Sequence, residues 1–186
     1  MILFFSAGSP YARIIRILAR ERGPRLEEQE VPLRDPTSPL LPLHPAGRVP
    51  ALLDGDALIA ETLLILAHLG WLSADVAGRS RLGRALSLLD GIAVWNREMR
   101  RPEELRSPAV LALEETRAAR ILDALDPAEF DPASAEGTAL LCTLGYGERR
   151  HRVWRWREGR GRLAAWFDDA ARRPAFSETL PPISGI

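Results

Sequence analysis

Three short groups of residues in this chain have the types and spacing for chemistry. The first is Ser9-Pro10-Tyr11. Serine is a favoured N-cap and proline is tolerated at the first helical position, so the Ser9 hydroxyl stands at the mouth of a helix. There it can donate a hydrogen bond to the thiol sulfur of a bound ligand. The helix N-terminus favours the anion, so the thiolate becomes the major form near neutral pH. Ser6 and Tyr11 are alternative donors, reachable if the turn is displaced. Ser-Pro is also simply a good helix start, and the dipeptide alone leaves both readings open. The second group is Arg48-Val49-Pro50, with a proline where a strand begins; proline cannot donate to a sheet ladder and survives only at a strand's start, an edge or a special turn. The third is Glu61-Thr62, just before the apolar run Leu63–Leu69, which puts a carboxylate and a hydroxyl where free helix N–H groups also favour anions.

The elements that must hold these groups are short. Ile2–Phe5 is a continuous apolar run, expected as a strand covered on both faces. A helix follows, with Ile14, Ile15 and Leu18 on its apolar stripe and Arg13, Arg16 and Arg20 on its wet side, and Gly23-Pro24 ends it. Leu26–Val31 is expected as a second strand, parallel to the first, completing a βαβ unit. Arg48–Leu53 reads as a strand, Asp54-Gly55-Asp56 as a turn, and Ala57–Ile59 as the returning strand of a hairpin.

Proline loop, hairpin, polar pair and helix, in that order behind Ser-Pro-Tyr-Ala-Arg, resemble the glutathione-binding domain of bacterial serine-type glutathione transferases. The resemblance implies a thioredoxin-like α/β N-terminal domain over 1–72 and an all-helical domain over 79–186. It implies a cis Val49-Pro50 peptide that turns Val49 outward to pair with a peptide substrate. Glu61 and Thr62 would hold the γ-glutamyl end of glutathione, Arg48 would stand where lysine is common, and Ser9 would be catalytic. His44 falls where asparagine is common and is read as an exposed loop histidine. The turn-rich segment Asp35–Pro45 is shorter than the family's usual connection. Because Ser9 is not cysteine, disulfide exchange through a protein thiol is not expected.

Gly70–Gly78 reads as the linker. Beyond it, Leu82, Ala85, Leu86, Leu89, Ile92 and Ala93 follow helical spacing, Arg101-Pro102 breaks that helix, and Ser107-Pro108 starts another. By resemblance these two helices flank the acceptor pocket and the dimer contact, with Tyr11 and Trp95 as candidate pocket residues. Thr138–Tyr146 is apolar all round and is expected as the central buried helix. Ser134 is its candidate N-cap, although Gly137 stands where a capping box would place an acid. The arginine-rich stretch Glu148–Arg162, with Trp154 and Trp156 interleaved, could contact single-stranded nucleic acid, or it is a loop whose tryptophans anchor on the core.

Composition narrows the classes. All 25 basic residues are arginine and are balanced by 25 acids, so no bulk field directs the chain to nucleic acid or membrane. Cys142 is the single cysteine, which excludes an internal disulfide; it is expected as a packed core thiol in a cytoplasmic protein. No metal-ligand spacing and no membrane-length apolar run is seen. The function implied by the resemblance is transfer of the glutathione thiolate to a small hydrophobic electrophile by a homodimer. Glutathione-dependent isomerase or lyase chemistry, and an inactive binding or regulatory protein of the same fold, remain open at this level.

Overall fold

The computed structural model describes residues 1–184. The N-terminal half is a four-stranded mixed sheet in the order β2-β1-β3-β4. β1 (Ile2–Phe5) pairs in parallel with β2 (Glu27–Glu30), Ile2 opposite Glu27, and antiparallel with β3 (Ala51–Asp54), Phe4 opposite Ala51. β3 turns through Gly55 into β4 (Ala57–Ala60). The apolar run of β1 is covered on both faces, as expected for a central strand. On one face lies α1 (Pro10–Arg22), whose Ile14, Ile15, Ile17 and Leu18 are fully buried. On the other, Phe4, Val31, Leu40 and Ala51 form a separate small cluster.

That second cluster explains how the short segment after β2 manages without a helix. Residues 32–49 form turns, and Leu40 reaches under the sheet to full burial. β3 begins at Ala51 rather than at Arg48. Pro50, with no N–H to give, lies just outside the ladder, and the Val49-Pro50 peptide is cis. A second cis bond, Gly23-Pro24, follows the end of α1.

α2 (Thr62–His68) leads through Gly70 to the helical half. α3 (Val76–Met99) takes in the last residues of the expected linker because Asp75 caps it, accepting from the Gly78 amide at 2.5 Å. α4 (Pro108–Asp123) starts at its Ser107 cap. α5 (Ala135–Arg150) is the buried axis, enclosed on every side from Ala135 to Gly147, and it packs against both α3 and α1. α6 (Gly161–Ala170) and the single turn α7 (Pro174–Ser177) close the bundle. The arginine-rich stretch splits between the end of α5 and the loop after it. Trp154 and Trp156 are buried there, and Arg157 pairs with Glu148 at 2.7 Å and Asp168 at 2.8 Å while stacking on Trp156. Those contacts favour the anchoring-loop reading of this stretch over a nucleic-acid surface. Cys142 is fully buried, and burial pushes its thiol up to about 11.

Thioredoxin-like sheet and helical bundle therefore meet along α1 and α5. That seam positions the site.

Candidate functional site

The seam opens into a cleft of about 820 Å³ at the C-terminal end of β1. One wall comes from the sheet: Ser6, Gly8, Ser9, the Gly47–Pro50 loop, Glu61 and Thr62. The other comes from the bundle: Asp90, Val94 and Arg97 of α3, with Tyr146 and Arg150 of α5.

Ser9 is the N-cap of α1, with extended backbone (φ −83°, ψ 115°). Its Oγ accepts the Ala12 amide at 3.2 Å, and its own O–H has no protein acceptor among the described residues. The hydroxyl is therefore fixed by the cap and still free to donate. On the facing loop, Val49 precedes the cis proline, and no backbone group engages its amide or carbonyl among the described residues. An extended peptide laid beside it would find both groups free, which is the logic of strand addition.

Glu61 has φ 73°, the one non-glycine residue with positive φ among the described residues. Such backbone is costly and clusters where a site needs a side chain aimed in a particular direction. It precedes α2 without capping it through its side chain, and its carboxylate stays exposed at the cleft. Beside it, Thr62 is buried and its Oγ1 is enclosed with no hydrogen-bond partner. A buried hydroxyl without a partner costs about 1–3 kcal/mol, so one retained at a cleft calls for a ligand. His44 also lines the cleft; its ring is half-buried and Nε2 is enclosed without a partner, against the expectation of an exposed loop histidine. Arg48 is exposed at the rim, where it can meet a carboxylate.

The two candidate pocket residues part company. Tyr11 lines the cleft and donates to Asp90 Oδ1 at 2.5 Å. Burial, then the bond to Asp90, drives its phenol pKa far up, so it stays neutral. Trp95 does not line the cleft. It is 7% exposed, packed edge-on against the His151 ring at 4.8 Å between α3 and α5. The sequence reading missed Asp90, Arg97, Tyr146 and Arg150 as cleft residues. Asp90 and Arg150 sit within charged runs that look like solvated faces, and only the crossing of α3 and α5 brings them together.

A thioredoxin-like sheet thus brings a cis-proline loop, an acid–hydroxyl pair and a helix-capping serine around one cleft. Residues 3–77 match the family model described as the glutathione S-transferase N-terminal domain. A glutathione transferase family member from Pseudomonas fluorescens Pf-5, crystallised with bound glutathione, is similar over 98% of this chain and 99% of its own, with 29% identity and a TM-score of 0.85. A glutathione S-transferase from Methylobacillus flagellatus KT, also with glutathione bound, is similar over 96% and 98%, with 26% identity and a TM-score of 0.82. Human glutathione S-transferase T1-1, at 21% identity and a TM-score of 0.67 over 98% and 92%, shares the fold. No curated protein matches the sequence. Residues 3–77 thus match the glutathione S-transferase N-terminal domain, and the chain as a whole is similar in fold to the glutathione transferases.

Proposed function

We propose that this chain is a glutathione transferase that binds reduced glutathione in the cleft and transfers its sulfur to a small electrophile. The observation that carries this reading is the enclosed, unpartnered Thr62 Oγ1 beside Glu61, across from the free Ser9 hydroxyl. Glutathione supplies a cysteinyl thiol that is the nucleophile once ionised. Thr62 gives the γ-glutamyl carboxylate a hydrogen bond, and Glu61 receives its amino group. Val49 pairs through its amide and carbonyl with the cysteinyl backbone, and Arg48 with His44 meets the glycyl carboxylate. Ser9 donates to the sulfur and, with the α1 N-terminus, favours the thiolate. The P. fluorescens and M. flagellatus relatives with glutathione bound support the choice of ligand.

On this reading residues 1–72 hold glutathione, and the helical part from 79 onward supplies the acceptor wall, where Ala93 and Val94 give apolar contact facing Tyr11 of α1. Residues 185 and 186 of that part lie outside the described residues. A reducing, cytoplasmic setting fits a thiol co-substrate and the inert Cys142. A twofold homodimer would cover Leu63 and Leu64, which are exposed on α2.

Calorimetric titration with reduced glutathione, run beside Ser9→Ala, tests the proposal. Micromolar-to-millimolar binding that releases a proton in the wild type and not in the variant is the expected result. No heat at millimolar glutathione would sink it.

A further inference from the structure

The bundle wall of the cleft is cationic where an acceptor for an apolar electrophile would be greasy. Four arginines line the cleft: Arg34 and Arg48 on the sheet side, Arg97 and Arg150 on the bundle side. Asp90 is the one carboxylate on the bundle wall, and it already accepts the Tyr11 hydroxyl. Neither Arg97 nor Arg150 pairs with a carboxylate among the described residues.

Arg150 is held in place by its own backbone. Its carbonyl accepts Asn96 Nδ2 at 2.7 Å and Ser184 Oγ at 2.8 Å, tying the end of α5 to α3 and to the C-terminal segment. The side chain then points back over the β1–α1 turn. A Cβ at Gly8 would lie 3.1 Å from Arg150 Nη2, so the guanidinium sits close against the residue before Ser9. Of the guanidinium's five N–H donors, one reaches the Pro182 carbonyl, at 3.3 Å, and Nε is enclosed with no partner. Burial and the neighbouring Arg100 charge both disfavour this cation, while Tyr146, beside it, stays neutral. An anion arriving here relieves that repulsion and finds a planar fork suited to two parallel hydrogen bonds.

We propose that the acceptor subsite recognises a carboxylate, held by Arg150 and Arg97, so that the electrophile is a short carboxylic acid. The inference rests on the glutathione reading and deepens it. An α,β-unsaturated carboxylate illustrates the step. The thiolate lone pair forms the S–C bond at the β carbon, and the C=C pair moves to the α carbon. That carbon takes the proton the thiol released, so atoms and charge balance without a further reactant. Charge flowing toward the carboxylate in the transition state meets the guanidinium already in place, which is how a preorganised cation speeds such a step.

The test compares two ready-made thioethers by calorimetry, S-(2-carboxyethyl)glutathione and S-propylglutathione, which share the tripeptide and differ in the appended carboxylate. The carboxyethyl ligand is expected to bind about tenfold or more tightly at low salt. In Arg150→Gln, and separately in Arg97→Gln, that ratio is expected to fall toward one. The exposed Arg97 guards against an Arg150 variant that fails to fold. Equal binding of the two ligands, or a preference that survives in both variants, overturns the carboxylate subsite while leaving glutathione binding intact. Failure of glutathione itself to bind removes the parent reading, and this one with it.

Discussion

The guanidinium of Arg13 lies 3.9 Å from the centroid of the Phe176 ring, in the seam where α1 meets the C-terminal helices. Its Nη2 donates to the Phe176 carbonyl at 2.8 Å and its Nε to Thr179 Oγ1 at 3.2 Å. Arg13 is almost fully buried, although helical spacing assigned it to the wet side of α1. The bundle packs over that side, and a long side chain with a planar head fills the gap. No carboxylate pairs with it among the described residues, so burial makes the charge costly and pushes its pKa down.

Arg13→Ala and Arg13→Met separate packing from charge. Alanine leaves a cavity and only the longer Thr179 Oγ1 bond, 3.3 Å, to the Phe176 carbonyl, and we expect a loss of about 2–5 kcal/mol in urea unfolding. Methionine keeps most of the volume and removes the desolvated charge, so its effect should stay within about 1 kcal/mol. Equal losses in the two variants would show that the cation itself, rather than its bulk, holds the seam.

His151 makes the fold sensitive to acid. Its Nδ1 faces Asn96 Nδ2 at 3.2 Å, so Nδ1 accepts, the ring is neutral, and its proton sits on the enclosed Nε2. Burial first, and the Arg100 charge second, lower its pKa from near 6.5 to about 4. The unfolded chain therefore takes up the proton more readily. Stability is fully present above about pH 6.5, falls as pH drops toward 4, and levels off below that, by at most about 3 kcal/mol. Urea midpoints from pH 7.5 to 4.5, compared between wild type and His151→Asn, isolate this part from the carboxylates. Parallel curves for the two proteins would refute it.

Much of the architecture was legible because periodicity and punctuation agree. The apolar run of β1, the Ser9 and Ser107 caps, and the break at Arg101-Pro102 mark the elements wherever local sequence decides them. Trp95 was assigned to the pocket by likeness. Its spacing tells otherwise, since Ile92, Trp95 and Asn96 continue the buried stripe of α3. Arg150 as a cleft residue was beyond reach of the sequence, because its placement depends on the docking of residues 181–184 against the end of α5.

Gly137 shows the same limit from the other direction. Its amide is capped by Ser134 Oγ at 3.0 Å, so the cap exists without the reciprocal acid that the sequence lacks. The reason for glycine is steric: a Cβ there would lie 1.9 Å from the Asp131 carbonyl oxygen. Gly137→Ala, normally a gain in a helix, should instead cost about 1–3 kcal/mol and lower Tm measurably. A Tm at or above wild type would mean that the turn before α5 yields freely.

Thr62→Val distinguishes a hydroxyl kept for a ligand from one kept for the fold. The two side chains are close in volume, and Thr62 Oγ1 has no protein partner to lose. Valine removes a buried polar atom that nothing in the chain satisfies, so stability should be unchanged or rise by up to about 1–2 kcal/mol. Affinity for glutathione should move the other way. The lost hydrogen bond to a charged carboxylate corresponds to about 1.5–3 kcal/mol, or roughly a tenfold to hundredfold weaker Kd by calorimetry. The opposite signs are the point, because a residue important only for packing would lower Tm and affinity together. A variant with wild-type affinity would place the γ-glutamyl group elsewhere in the cleft and leave the buried hydroxyl without a purpose.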